Sequence, residues 1–287
     1  MIFYMVIFMW KFIWFYLKVL LLIQELFASF RNHFYGLKQA SRQWFVRCKD
    51  ASFTLLLVYV DDVILAGNDT AEIHRIKVFL DAKFKIKDLG PLKYFLGLEI
   101  ARSNAGLSVC QRKFALDILS DCRVLAARLV STPMDRSTKL SQDSGSSLED
   151  PSVYRRLVGR LLYLTTTRPD LSYAVSQLSQ FISAPRTTHL QAAYRVLGYL
   201  KSCPGRGLFF HAHSDFKLKA FCDSDWAGYP DARRSITGFC VYLDQALIAW
   251  RSKKQHIVSR SSSEAEYRAL AAVTCEVQWL FYLLIDL

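Results

Sequence analysis

Two adjacent carboxylates, Asp61 and Asp62, stand between the apolar runs at residues 55–59 and 63–66. Runs of this kind read as strands buried on both sides, or nearly so. Neighbouring side chains on an extended chain point to opposite faces, so at most one of the two carboxylates suits a core. An ionised carboxylate buried without a partner is very costly. The pair is therefore expected in a tight hairpin turn at the edge of a cleft, where a divalent cation neutralises it. Mg²⁺ takes one or two carboxylates together with substrate phosphates. Two such ions can hold the attacking and leaving oxygens of a phosphoryl transfer. The plainer alternative is an Asp-Asp turn closing a core hairpin. A second acidic group, Asp223 with Asp225, ends a strand-like run, and Glu264 and Glu266 follow later. Taken alone, Asp223 and Asp225 read more simply as a polar strand end. Lys253-Lys254-Gln255-His256 follows a further strand and can meet backbone phosphates, or form a solvated face. Arg233-Arg234 carries the same ambiguity.

The 287 residues suffice for two ordinary domains, and 52% hydrophobic content allows a sizeable core. A net charge of +12 favours an anionic partner, nucleic acid first and a membrane surface second. The seven cysteines show no C-x-x-C spacing, and no histidine lies in zinc-finger register. A disulfide framework or zinc site is not expected, and a reducing compartment fits. His189, His211 and His213 receive no role.

Residues 1–24 are almost wholly apolar, interrupted by Lys11 and Lys18. Their length allows a membrane helix. A mid-span lysine opposes it by about 2.5–3.5 kcal/mol. A membrane anchor, a buried helix and translated sequence never selected as protein remain open. No signal-peptide cleavage site follows. Beyond residue 35 the pattern is globular. Asn68-Asp69-Thr70 starts a helix carrying Ile73, Ile76, Leu80 and Phe84. Residues 93–100 and 107–110 read as strands around Asn104-Ala105-Gly106, and 114–122 as a helix. Residues 131–151 form a linker. Helices are expected at 154–165, 171–182 and 188–201. Strands are expected at 218–223, 238–243 and 247–251. The last helix opens at Ser263, with Ser263 and Glu266 as its capping box and Leu270, Val273, Val277, Leu280 and Leu284 on one face.

Several segments in order resemble one family. Tyr35-Gly36-Leu37-Lys38-Gln39-Ala40-Ser41-Arg42-Gln43-Trp44, Tyr59-Val60-Asp61-Asp62 and Asp88-Leu89-Gly90 with Tyr94-Phe95-Leu96-Gly97-Leu98-Glu99 come first. Tyr154-Arg155, Leu162-Tyr163-Leu164-Thr165 and Arg168-Pro169-Asp170 follow. Then come Asp223-Ser224-Asp225-Trp226-Ala227-Gly228, Trp250-Arg251-Ser252-Lys253-Lys254-Gln255 and Ser262-Ser263-Glu264-Ala265-Glu266-Tyr267. Together they resemble the carboxyl-terminal part of the Pol polyprotein of Ty1/copia-type retrotransposons. Ser41 stands where the family's segment has proline.

The resemblance implies an α+β chain: a partial reverse transcriptase palm with a helical connection, followed by an incomplete RNase H-like domain. It implies RNA-directed DNA synthesis and cleavage of the RNA strand, with two Mg²⁺ per intact site. Asp61 and Asp62 would serve the first site, and Asp223 (with Asp225 as the nearby alternative) and Glu266 (with Glu264 a helix-end residue beside it) the second. Gln39, Arg42, Gly97, Lys253 and Lys254 would meet nucleic acid. The implied partners are RNA template, DNA primer and RNA–DNA hybrid, in the cytoplasm or nucleus; a membrane enters only if residues 1–24 are genuine. The expected divisions are 1–34 as a non-family segment, 35–130 as palm remnant, 131–213 as linker and connection, and 214–287 as truncated RNase H-like domain. The palm lacks an upstream Asp, and the last two RNase H carboxylates should follow residue 287. Enzymatic activity is thus left open, and a degenerate inactive fragment is expected. The rival readings are a domesticated non-catalytic nucleic-acid-binding protein and a membrane-anchored protein.

Overall fold

The computed structural model of the chain describes residues 42–49, 52–59, 62–122, 128–135 and 140–286. The 1–34 segment, Gln39 and Asp61 lie outside them. The described residues form a mixed α+β structure in two compact units, divided after Leu92. The divisions expected near residues 130 and 213 both fall within the second unit, which runs from Lys93 to Asp286.

The first unit contains an antiparallel meander of β1 (Arg42–Lys49), β2 (Ser52–Tyr59) and β3 (Asp62–Gly67). Strand β1 was not anticipated from the sequence, although Trp44, Phe45 and Val46 favour extended chain. Leu55 opposes Ala66 and Leu57 opposes Ile64, and all four are buried. Leu56 and Leu65 are only half-buried, and Val63 is exposed. The hairpin therefore buries one face, which corrects the expectation of burial on both. The alternation of a two-period strand places the two sets on opposite sides. Helix α1 (Thr70–Phe84) follows. Asp69 caps it by accepting from the Ala71 and Glu72 amides at 3.0 Å each. It ends at Lys85, whose φ of 55° turns the chain out of the helix. Ile73, Ile76 and Leu80 are half-buried rather than buried, and Phe84 is exposed.

The second unit opens with β4 (Tyr94–Phe95), β5 (Leu98–Ser103) and β6 (Gly106–Cys110). The expected single strand over 93–100 is broken by a two-residue turn, because Leu96 and Gly97 both take positive φ, 48° and 75°. That pair of dihedrals matches the twist of a tight hairpin. Helices α2 (Arg112–Asp121), α3 (Pro151–Leu164), α4 (Ser172–Ser179) and α5 (Thr187–Ser202) build the main core. Ile118, Leu119, Tyr154, Leu161, Val175, Leu178, Val196 and Leu200 fill it. A short 3₁₀ turn, Pro169–Leu171, separates α3 from α4. Strand β7 (Leu208–His211), not expected from the sequence, pairs with β6 and completes a sheet ordered β4-β5-β6-β7.

A second sheet of the same unit holds β8 (Leu218–Ser224), β9 (Ile236–Leu243) and β10 (Ala246–Lys254). Its order is β10-β9-β8, so β8 has a free edge among the described residues. Trp250 donates its indole N–H to the Thr165 carbonyl at 3.1 Å and ties β10 to the end of α3. Helix α6 (Ser262–Asp286) lies on β8 and β9. Its inward row is Ala265, Ala269, Val273, Leu280 and Leu283, a row spaced by three, four and seven residues. Leu270, expected on that row, is instead exposed, because it lies about 100° around the helix from Ala269. By length and composition α6 is apolar enough to cross a membrane.

Candidate functional site

Asp62 begins β3 opposite Tyr59 and is exposed to solvent. Its neighbour Asp61 is outside the described residues. Strand β1, which precedes this hairpin and pairs with β2, carries no carboxylate in its sequence Arg-Gln-Trp-Phe-Val-Arg-Cys-Lys. Arg42 is its first residue. Gly97 belongs to the second unit and has a packing reason for its identity. A Cβ there would lie 3.0 Å from the Tyr163 hydroxyl, which itself donates to the Leu96 carbonyl.

Asp223 on β8 and Asp225 just after it part company. Asp225 turns back into the loop that follows the strand, where Oδ1 accepts from the Ile236 amide. Its Oδ2 occupies the space that a side chain at position 228 would need, so any larger residue there would displace the Asp225 carboxylate. Burial raises the Asp225 pKa, and the charge of Asp223 adds to the rise against the Ile236 hydrogen bond. Asp225 thus holds a loop together. Asp223 stays exposed near the strand end.

Glu266 reaches the same strand end. Its Oε1 accepts from the Ser224 amide at 3.3 Å. Because β8 is an edge strand, this carboxylate satisfies a backbone donor that no sheet neighbour takes. The Cys222 thiol registers both acids: burial pushes its pKa up, and the charges of Glu266 and Asp223 push it further. Glu266 is free for this contact because it does not cap α6. Capping falls to Ser261, which accepts from the Glu264 amide at 3.1 Å, while Glu264 accepts from the Arg260 amide at 2.8 Å. This corrects the expected Ser263–Glu266 box. Glu264 also pairs with Arg268 at 2.8 Å, which holds its carboxyl below the usual range.

Gln255, read from the sequence as part of a run that meets phosphates or forms a solvated face, instead joins these elements. It is 8% exposed. Its Nε2 faces Ser224 Oγ of β8 at 3.1 Å, Thr237 Oγ1 of β9 at 3.0 Å and the Ala265 carbonyl of α6 at 3.0 Å. Its Oε1 accepts from Ser259 Oγ at 2.9 Å, and its backbone amide donates to the Ser235 carbonyl at 2.8 Å. Trp226 donates its indole N–H to the Ser259 carbonyl at 3.0 Å and fixes the same loop from outside. A polar residue falling on the inward side of a strand end is the one sequence signal that marks such a residue.

The two lysines of β10 differ. Lys253 is exposed. Lys254 lies over the Tyr229 ring with Nζ 4.0 Å from its centroid. Burial and the nearby Arg234 charge lower its pKa. Among the described residues no three His, Cys, Asp or Glu side chains converge to hold a metal.

Comparison with known proteins gives these residues a context. The reverse transcriptase (RNA-dependent DNA polymerase) family profile matches residues 31–136. The Retrovirus-related Pol polyprotein from transposon RE1 of Arabidopsis thaliana is 43% identical over 91% of this chain and 19% of its own length. The corresponding polyprotein from transposon TNT 1-94 of Nicotiana tabacum is 33% identical over 90% of this chain and 22% of its own. An uncharacterized mitochondrial protein of Arabidopsis thaliana is 43% identical over 78% of this chain and 93% of its own length. The chain spans only about a fifth of the length of the first two relatives. No solved structure gives a significant match. Similarity of this extent, running through both units, makes the chain a member of the copia-type retrotransposon Pol polyprotein family, with a reverse transcriptase-like domain in its first half.

Proposed function

We propose that this chain is a nucleic-acid-binding fragment of a copia-type polymerase that retains hybrid recognition and has lost turnover. In this reading residues 35–130 are a palm remnant, 131–213 the connection and 214–287 an RNase H-like part. Residues 1–30, which precede the family match, are foreign to the family sequence, and the protein acts in the cytoplasm or nucleus. The observation that carries the reading is the junction at Ser224. There Glu266, near the start of α6, bonds the backbone amide of Ser224, the residue that follows Asp223 at the acid-bearing strand end.

Carboxylate oxygens are hard donors suited to Mg²⁺, which accepts one or two of them and fills its remaining positions with water and substrate phosphates. Asp223 and Glu266 thus fit one hydrated divalent ion. They do not fit a two-ion centre, since no third ligand converges on them among the described residues and Asp225 is committed to Ile236. A bound ion would supply charge to a phosphate. The chain's own residues contribute the anionic strand end and the exposed Lys253 on β10.

The full chain is expected to bind an RNA–DNA hybrid with an affinity that falls steeply as salt rises. It is expected neither to cut the hybrid nor to extend a primer in Mg²⁺ or Mn²⁺. Cutting abolished by Asp223→Asn, or extension abolished by Asp61→Asn, would refute the loss of turnover. Hybrid affinity that ignores salt would refute the binding role.

A further inference from the structure

We propose that Gln255 is a positioning residue: its buried amide sets the first turn of α6 against β8 and so holds the Glu266 carboxylate on the Ser224 amide beside Asp223. The inference rests on the RNase H-like reading only for the use to which the paired acids are put. Its geometric content stands by itself.

The amide has two hydrogens and faces three oxygens, from β8, β9 and α6. These are the strand that carries Asp223, its sheet neighbour, and the helix that carries Glu266. The Ala265 carbonyl is the critical one. It belongs to the residue immediately before Glu266, so a bond to it fixes the helix end where Glu266 leaves the backbone. Ser259 closes the fourth side through Oε1, and the Ser235 carbonyl takes the backbone amide. Two hydrogens cannot give all three oxygens a full bond, so Gln255 holds at least two of these elements at a time and cannot shift without releasing them. A buried amide with all its partners made locks one arrangement, whereas leaving those partners unmade costs each its desolvation.

Glu266 has no comparable anchor of its own. Among the described residues its one hydrogen bond is the 3.3 Å contact to Ser224, and the helix cap belongs to Ser261 and Glu264. The side chain is exposed. Its placement thus follows from where α6 begins, and Gln255 sets that point relative to β8. Lys253, the exposed basic residue, lies two positions before Gln255, near the end of β10.

The test uses the full chain and Gln255→Met, which keeps length and removes the amide. Hydrogen exchange resolved to single amides reads the Ser224 N–H directly. Gln255→Met is expected to speed Ser224 exchange about tenfold or more, to the level of Glu266→Ala, because a hydrogen bond to a charged group is lost. The Val241 amide in the middle of β9 should keep its protection. A general loosening of the fold would move both. Ser224 exchange unchanged in Gln255→Met would overturn the proposal, and so would equal loss at Ser224 and Val241.

Mn²⁺ alone, followed through loss of the free-ion paramagnetic resonance signal, separates this inference from the reading beneath it. Binding that weakens about tenfold in Gln255→Met, and at least as much in Asp223→Asn and Glu266→Gln, supports both. Binding insensitive to Asp223→Asn and Glu266→Gln would remove the metal-site reading, while the Ser224 result would still decide the role of Gln255.

Discussion

Arg168 offers the most demanding test of how the second unit is held together. Its side chain is 1% exposed, yet it carries a full charge. It forks onto Asp170, with Nε 3.0 Å from Oδ1 and a terminal nitrogen 2.8 Å from Oδ2. The other terminal nitrogen donates to the Cys203 carbonyl at 2.9 Å, just past α5. The guanidinium also lies 5.9 Å from the Tyr199 ring centroid. Arg168→Met keeps most of the volume and removes every one of these bonds. Breaking a buried ion pair by deleting one partner costs about 3–5 kcal/mol. Asp170 would retain the Tyr199 hydroxyl at 2.9 Å and Arg206 at 3.6 Å, which points to the lower end, about 3 kcal/mol. For a unit of this size that is a fall of about 6–12 °C in Tm, measurable by calorimetry. Burial would raise the Asp170 pKa, but the Arg168 guanidinium holds it below the usual carboxylate value. A depressed folded pKa gives stability that is present above the unfolded pKa and lost as pH falls through the folded one. The gap between wild type and Arg168→Met should therefore narrow on acidification below about pH 4. Arg168→Met with Asp170→Leu should recover part of the loss, because no buried charge is then left alone. A single variant within about 2 °C of wild type would refute the reasoning.

Other outcomes follow from the same geometry. His189 is fully buried, stacks on Phe181 at 3.9 Å, accepts from the Arg186 amide and bonds the Ser141 carbonyl; burial lowers its pKa. The unfolded chain then binds the extra proton, so thermal scans should show stability lost as pH falls below about 6.5, with a flatter profile in His189→Asn. Lys253→Ala should reduce the salt slope of hybrid binding by about 0.9, as expected for one lost phosphate contact. Lys254→Ala should leave that slope unchanged and lower Tm, because Lys254 covers the Tyr229 ring. On α6, Tyr267, Phe281, Tyr282 and Ile285 are each more than half exposed. Ile285→Lys should raise solubility in sedimentation assays at a stability cost within about 0.5 kcal/mol. Leu280→Ala, on the buried row of the same helix, should cost about 2–5 kcal/mol.

What the sequence made legible was local. The Asp69 cap, the break at Arg168-Pro169 and the strands of the last sheet all follow from neighbours within a few residues. The strand β7 was not legible, since its partner β6 lies about a hundred residues earlier and its four residues have no period long enough to read. Burial on one face of the β2–β3 hairpin was likewise hidden, because an unbroken apolar run looks the same whether one side or both are covered.

The acidic site shows where local reading stops most clearly. Two Ser-x-x-Glu frames overlap at the start of α6, Ser261 to Glu264 and Ser263 to Glu266, and spacing alone ranks them equally. The tie is broken three-dimensionally. Gln255 closes on Ala265, and Ser259 is held by both Gln255 and Trp226, so the chain turns into the helix at Ser261. Once Ser261 and Glu264 form the cap, Glu266 lies two residues, about 200°, around the helix from Glu264 and is released from capping. Its carboxylate then reaches the one kind of donor that an edge strand leaves open, the Ser224 amide. The position of the acid next to Asp223 is thus decided by a neutral glutamine eleven residues earlier, through contacts that no periodicity in the chain encodes.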